Sequence, residues 1–313
     1  MASGKQFTGL IPPKSSQPRS AFFTGKAGFK NVSQMCRLDR FVPQLTDHQL
    51  LRDNFTLSTW LCLGAVGQAV LVLAAGRVGL IPALAVLLYR CFIAYAMSVG
   101  WVHNTYMDGV LMSKFSAQFP DETGNYGSKP ADSGMVVFLI GTRINHPMGL
   151  FAPGAKELGD YFQGMTKSLE EHAEQYGFLG MTSWLNSNTR EASNELMQVG
   201  YFRNIEGLHA FAHSEHHREG WMWFNKHVKQ YPHLAIFHET YEVPKGKWES
   251  IYVNSHLSGI NSTTHKYTDE STGQPMWASP VVDASKGLLK TSAGRMSKSK
   301  ADEHDQYGVD PYQ

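Results

Sequence analysis

Residues 135–145 read MVVFLIGTRIN, a nearly continuous apolar and β-branched run of strand length. A run of this kind, without polar alternation, is typical of a strand that is covered on both faces. After Pro153 and Gly154, apolar residues recur at helical spacing from Leu158 to Tyr176, which predicts an amphipathic helix. The region that begins at residue 135 therefore starts with a strand and a helix.

The segments that follow extend this pattern into a complete sheet. Two predicted strands, FLGMTSWLN (178–186) and ELMQVGYFR (195–203), precede a histidine-rich helix at 204–229, and HLAIFHETYEV (233–243) and WESIYVNSH (248–256) follow it. The order β-α-β-β-α-β-β is that of a ferredoxin-like split βαβ domain with one added strand. We therefore predict an α+β fold. Strands with two apolar faces need a second cover, so two copies are expected to pair as a homodimeric α/β barrel.

The flanking segments have a different composition. Residues 1–44 are rich in Gly, Ser, Pro and Lys and are predicted to be flexible, and residues 105–133 form a turn-rich linker before the domain at 134–265. Residues 266–313 are a C-terminal extension with little apolar content from about residue 282 onwards. That last part is predicted to be disordered.

A long apolar segment at 45–104 precedes the linker. No charged residue interrupts 54–76, and Arg90 is the only one within 78–102. About 20 apolar residues suffice to cross a hydrocarbon core, so we predict that 55–76 spans a membrane and that 78–102 is a second span or an interfacial helix. The alternative is a buried helical hairpin in a soluble protein.

The charges beside this segment predict its orientation. Residues 1–53 carry eight Lys or Arg against three Asp, and this bias favours a cytoplasmic N-terminus. A hairpin would return the rest of the chain to the cytosolic side, although Asn261-Ser262-Thr263 has the form of a glycosylation sequon.

Five of the fourteen histidines lie within 204–229. At 100° per residue, His209, His213, His216 and His227 fall within one otherwise apolar sector of a continuous helix. Buried imidazoles need partners, because an unpaired buried polar group costs about 1–3 kcal/mol. The pattern therefore predicts a site in which these histidines act as bases or ligands, and the alternative is that they are hydrogen-bonded core residues.

The strand at 233–243 adds further candidates. Glu239 and Tyr241 share one face of it with apolar residues, whereas His238 points to the other face. Burial would raise the pKa of Glu239 towards the range that is useful for proton transfer. We predict that His216 and His213 are catalytic together with His238, Glu239 and Tyr241. In the alternative, Glu239 pairs with an arginine and is structural.

Polar and aromatic residues at the ends of strands, and others on the helix, are candidates for binding the substrate. The predicted substrate-binding residues are Arg143, Asn145, His146, Trp184, His209 and Trp223.

Several functional classes receive no support from the sequence. The formal net charge of +1 gives no reason to expect nucleic acid as a partner. The three cysteines all precede residue 100, so the histidine-rich region has no thiol nucleophile. Neither a glycine-rich dinucleotide fingerprint nor a HExxH metalloprotease pattern is present. We therefore predict no flavin, nicotinamide or metal site.

Three segments resemble a known family. They are PDETGNYGSKPADSGMVVFLIGTRINHPMGLFAPG (120–154), MTSWLN (181–186) and AIFHETYEVPKGKWESIYVN (235–254). They are similar to the fungal monooxygenases typified by the fumagillin-pathway enzyme, which belong with the antibiotic-biosynthesis monooxygenases and their dimeric α+β barrels. The resemblance covers about residues 104–265. It implies an oxygenase of secondary metabolism, anchored in the membrane of the endoplasmic reticulum, that acts with O₂ on a lipophilic polyketide or terpenoid.

Three functions remain open from the sequence. The first is a monooxygenase, either cofactor-independent or haem-assisted. The second is a non-redox enzyme, such as a cyclase, isomerase or dehydratase, in which the same side chains do acid–base chemistry alone. The third is a membrane-tethered accessory protein that binds a small molecule.

Overall fold

The computed structural model describes residues 6–17, 54–187 and 195–296. Its contacts divide the chain into two compact units, one containing residues 54–108 and the other containing residues 6–17, 109–186 and 195–296.

The first unit contains two apolar helices, α1 at Leu57–Ala75 and α2 at Ile81–Ser98. Between them a short 3₁₀ turn folds back on α1, where Gln68 Nε2 donates a hydrogen bond to Gly79 O at 2.8 Å. A Cβ atom on Gly79 would lie 2.5 Å from Leu71 O, so this close approach requires glycine. The stretch Leu57–Ser98 is long and apolar enough to cross a membrane, and little of it is buried.

The larger unit contains the predicted α+β domain. Its strands and helices are β1 Leu111–Ala117, β2 Met135–Ile144, α3 Ala155–Glu171, β3 Phe178–Leu185, β4 Leu196–Phe202, α4 Ile205–Ala212, α5 Glu215–His227, β5 Leu234–Val243, β6 Tyr252–Ser255, β7 His265–Thr268, β8 Pro275–Ala278, β9 Val281–Asp283 and α6 Ser292–Arg295.

The main sheet has the antiparallel order β3-β4-β2-β5. Strand β4 lies between β2 and β3, so the unit β2-α3-β3 is split, as the ferredoxin-like prediction requires. Helices α3 and α4 pack on one face around a core that includes Val136, Leu169 and Phe202. The prediction of a ferredoxin-like α+β domain is confirmed.

The residues of the main sheet divide cleanly between its two faces. Leu139 pairs with Val199 on one side and Glu239 on the other, and paired residues share a face. These three lie on the face that carries no helix, which we call the open face. Phe237 lies there over Gly141, where a Cβ atom would be 2.2 Å from its ring.

The predictions for the linker at 105–133 and for the added strand at 248–256 were wrong. Residues 105–133 do not form a linker throughout, because they include β1, in which Phe115 and Ala117 are fully buried. The added strand β6 pairs with β1 in a second sheet of order β6-β1-β9 and does not extend the main sheet. Ala117, Trp248 and Met135 belong to one buried apolar cluster, which lies at one end of the open face.

The C-terminal prediction was wrong for residues 282–296. Strand β9 belongs to the second sheet, Leu289 is 1% exposed, and Arg295 pairs with Glu249 and donates to Leu289 O at 2.9 Å. Apolar side chains and a buried ion pair order this segment despite its polar composition. Residues 297–313 lie outside the described part of the chain.

The N-terminal prediction was wrong for residues 6–17. Gly9 bridges to Val282, Lys14 bridges to Trp277, and Phe7 packs on the cluster around Leu289. Backbone pairing therefore holds this stretch on strands β8 and β9. The remainder of the predicted flexible region 1–44 lies outside the described residues.

Candidate functional site

A cavity of about 200 Å³ lies between the main sheet and helices α3, α4 and α5. Its wall is mainly apolar and includes Phe138, Phe162, Met165 and Phe211. A dry cavity of about 150 Å³ can hold a benzene ring, so this one has room for a single ring with small substituents. The lining residues His238 and Thr240 of β5 are both exposed, so the cavity opens along this edge strand.

Three histidines line the cavity, each from a different element. His209 comes from α4, His217 from α5 and His238 from β5. His209 and His238 are exposed, whereas His217 is half-buried. They are the only titratable side chains among the lining residues. The cavity therefore combines apolar walls with three imidazoles, a side chain that commonly serves as a general acid or base.

A break in the histidine-rich segment positions His217. Asn204 caps α4 and accepts from Gly207 N at 2.9 Å, but α4 ends at Ala212. Ser214 adopts an extended conformation and caps α5 by accepting from His217 N at 3.4 Å. The predicted single helix is therefore two helices, and the angular sector calculated across 204–229 does not exist.

Burial lowers the pKa of His217 below its ordinary value, and the nearby His238 and His213 lower it further. A hydrogen bond from the ring to the carbonyl oxygen of Ala212 opposes this shift. His217 is therefore neutral at pH 7. Because this bond uses one ring nitrogen as the donor, the other is an acceptor.

Gln198 is the most deeply buried polar residue of the cavity wall, with 0% exposure. It occupies the same cross-strand row as Ile140 and His238. Its Nε2 donates to Ser183 Oγ at 3.4 Å, whereas no donor among the described residues reaches its Oε1. A buried acceptor without a donor costs about 1–3 kcal/mol.

The structure does not bring the two helix histidines predicted as catalytic into the cavity. His216 is exposed and is not part of the wall. His213 is exposed at the break between α4 and α5, where its Nδ1 bonds to His209 O at 2.7 Å. His217 and Gln198 line the cavity but were not among the residues predicted from the sequence. Ser214 followed by Glu215 is an N-cap signature that could have predicted the break.

Glu239 and Tyr241 lie on the open face, opposite to His238 and the cavity. Both are exposed in the single chain, and the Tyr241 hydroxyl donates to Glu239 Oε2. This hydrogen bond raises the pKa of Tyr241. The expected burial of Glu239 is therefore absent from the single chain, and its partner is Tyr241 and not an arginine.

Among the predicted substrate-binding residues, His209 alone lines the cavity. Arg143 Nη1 pairs with Glu195 Oε2 at 3.0 Å, and Trp184 Nε1 donates to Thr182 Oγ1 at 3.2 Å. Both side chains lie on the open face.

The other three predicted substrate-binding residues lie away from the cavity. Asn145 donates its backbone N–H to His233 O, and the ring of His146 lies 4.9 Å from that of His233. Trp223 packs with Tyr161 beside the cluster around Leu158. Within the described ranges, no group of three or more metal-ligating side chains was found.

Comparison with solved structures finds partial similarity to several proteins, among them an oxygenase and a dehydratase. SnoaB, a cofactor-independent oxygenase from Streptomyces nogalater, is 12% identical with a TM-score of 0.25 and covers 35% of this chain and 92% of its own. The aldoxime dehydratase OxdRE is 12% identical with a TM-score of 0.35, over 47% of this chain and 39% of its own.

The sequence comparisons are more specific. The sequence profile described as Monooxygenase af470-like matches residues 135–260, which contain the whole main sheet and the cavity. Monooxygenase af470 from Aspergillus fumigatus is 31% identical over 249 residues, a match that spans 79% of this chain and 90% of that protein. The chain therefore belongs to the Monooxygenase af470-like family.

Proposed function

We propose that this protein is a monooxygenase that oxidises a lipophilic small molecule of fungal secondary metabolism, such as a polyketide or terpenoid intermediate. The observation that carries the proposal is the apolar cavity lined by His209, His217 and His238. Apolar walls suit a lipophilic ligand and dissolved O₂, and imidazoles can supply the proton transfers that oxidation of an organic substrate requires. Membership of a family named for monooxygenase activity supports the same reaction.

We propose the cofactor-independent form of this reaction, in which a small substrate occupies the cavity of about 200 Å³. In the cofactor-independent reaction, a CH₂ group and O₂ give a carbonyl group and water. The substrate supplies all four electrons, and the histidines move protons only.

The experiment is metabolite profiling of the source fungus with and without the gene, under ¹⁸O₂. We expect a metabolite that is absent from the deletion strain and that carries one ¹⁸O atom. A gene-dependent product without ¹⁸O would contradict the oxygenase and favour the acid–base alternative, a cyclase, isomerase or dehydratase using the same three histidines. Identical metabolite profiles would favour the accessory binding protein.

We also propose that α1 and α2 anchor the protein in the endoplasmic reticulum membrane. They are about 28 and 27 Å long at 1.5 Å per residue, close to the thickness of a hydrocarbon core. Aromatic pairs, Phe55 with Trp60 and Tyr95 with Trp101, lie near the outer ends of the two helices, as is common at membrane interfaces. A soluble core helix would instead be buried.

The buried side chain of Asn261 is consistent with a cytosolic domain. This sequon residue is 0% exposed, and its Oδ1 accepts from Ser258 N at 2.7 Å. A glycan attached there in the lumen would prevent this packing, so a domain that folds in the cytosol avoids the conflict.

Full-length protein should remain in the membrane pellet after carbonate extraction. The double variant Val66→Arg/Leu87→Arg, with one charge near the middle of each helix, should be released, since each arginine costs about 2.5–3.5 kcal/mol on the insertion scale. Val78→Arg is the control, because Val78 lies in the turn between the helices and is as exposed as Val66. Recovery of wild-type protein in the soluble fraction would contradict the anchor.

The third part of the proposal is a homodimer formed through the open face. The open face carries three exposed aromatic side chains in the single chain. Their exposed fractions are 48% for Trp184, 38% for Phe237 and 50% for Tyr241. Contiguous apolar surface of this kind marks an interaction site. A second copy supplies a matching apolar sheet, and its approach would also cover Glu239.

We expect the detergent-solubilised full chain to sediment as a dimer and Phe237→Glu to sediment as a monomer. Ile236→Glu is the matched control, because Ile236 is the adjacent residue of β5, is 40% exposed, and points to the opposite face. A monomeric wild-type protein, or a dimer that survives Phe237→Glu, would be evidence against this interface.

A further inference from the structure

Two side chains of the cavity wall, His217 and Gln198, each carry an acceptor atom for a hydrogen bond. The bond from His217 to the Ala212 carbonyl leaves its second ring nitrogen as an acceptor. The Oε1 of Gln198, also on the cavity wall, has no donor among the described residues. A ligand that complements this cavity therefore brings its own donor.

We propose that the ligand is a lipophilic molecule with a hydroxyl group on its ring, and that His217 accepts the hydroxyl proton. This proposal rests on the proposed function and names one catalytic residue and one substrate feature for it. The O–H bond breaks, its electron pair remains on the ligand oxygen, and the proton bonds to the free ring nitrogen of His217. No oxidant or reductant takes part in this step.

The surroundings of His217 suit it to this role. It is the half-buried histidine of the three, so water competes with the ligand less there than at the exposed His209 and His238. Its pKa is lowered by burial, so the imidazole is neutral and able to accept at pH 7.

Titratable side chains lie near His217 on several neighbouring elements. His209 comes from α4, His213 from the helix break and His238 from β5, whereas α3 and strands β2, β3 and β4 contribute no titratable side chain to the cavity wall. The charges of His238 and His213 act in the same direction as burial and disfavour a proton on His217 in the absence of a ligand.

The probes are 4-fluorophenol and fluorobenzene, which differ by the hydroxyl group alone and are small enough for the cavity. Fluorine NMR measures their binding to the detergent-solubilised full chain, with protein-free micelles as the blank. At pH 7.5 we expect wild-type protein to prefer the phenol by about tenfold, the usual scale of one hydrogen bond in a dry site. The fluorine shift of the bound phenol should move towards that of the phenolate.

His217→Leu should remove both the preference and the shift, and His216→Leu should change neither, because His216 is the exposed neighbour outside the wall. The preference should also weaken as the pH falls below 6.5 and His217 becomes protonated. A preference retained in His217→Leu but lost in Gln198→Leu would assign the acceptor to Gln198 and overturn our inference.

Two further outcomes separate this inference from the proposed function. Equal binding of both probes by wild-type protein would overturn the hydroxyl requirement and leave the cavity as a ligand site. No binding of either probe would overturn the cavity itself as a binding site, and with it the proposed function.

Discussion

Acidification from pH 7 to pH 5 is expected to lower the unfolding free energy of the larger unit by about 2 kcal/mol through His265. This side chain is 6% exposed, its ring centroid lies 4.3 Å from that of Phe119, and its Nε2 lies 3.4 Å from Thr263 Oγ1. Burial lowers the pKa of His265 to about 3, and the charge of Arg203 acts in the same direction. The folded state therefore holds this imidazole neutral.

The sign follows from the number of protons that each state binds. In the unfolded chain the His265 pKa returns to about 6.5, so between pH 6.5 and pH 3 the unfolded state binds a proton that the folded state excludes. Stability from this residue is fully present above pH 6.5 and falls by up to about 1.4 kcal/mol for each pH unit below it. The total loss near pH 3 is about 5 kcal/mol, comparable with the stability of a small domain.

Urea unfolding of the full chain at pH 7 and pH 5 measures this effect. His265→Leu should unfold with a weaker pH dependence than wild type, because leucine binds no proton and Thr263 keeps its 2.7 Å bond to Ile260 O. His216→Leu, which alters an exposed histidine, should retain the wild-type pH dependence. Equal pH dependence in wild type and His265→Leu would mean that the folded state tolerates the imidazolium.

The main sheet could be predicted because its signals are local. The apolar run of β2, the helical spacing of α3 and the alternation of β5 each lie within one segment, and their order alone specifies the ferredoxin-like arrangement. The second sheet could not be predicted in this way. Strand β1 pairs with β6 and β9, and the Ala117 N–H donates to Ser250 Oγ across 133 residues. No short pattern in SKFSA indicates these partners.

Only part of the candidate site could be predicted, since His209 and His238 were expected and line the cavity, whereas His217 and Gln198 were not among the predicted residues. A histidine site on the segment 204–229 was expected, yet the extended Ser214 changes the helical phase, so that His217 and not His216 reaches the cavity. The alternation of β5 correctly separated His238 from Glu239. The packing of α3 and α4 decides which face of the sheet the helices cover. The alternation of residues along one strand does not show which face that is.

Ala212→Phe is expected to lower formation of the ¹⁸O-labelled product by at least 10²-fold. Ala212 is the last residue of α4 and part of the cavity wall. A phenyl ring needs about the volume of a benzene site, roughly 150 Å³, so the new side chain would fill most of a cavity of about 200 Å³. Substrate would then be excluded, although each histidine is retained.

Ala210→Phe is the matched control for this change. Ala210 lies on the same helix, two residues away, but is exposed and is not part of the wall. Both variants should be produced in the deletion strain and compared by product level and by thermal melting. Overpacking costs about 1–3 kcal/mol, so an Ala212→Phe protein that melts near the wild-type temperature but forms no product ties activity to this cavity. Wild-type product from well-folded Ala212→Phe would place the reaction elsewhere in the chain.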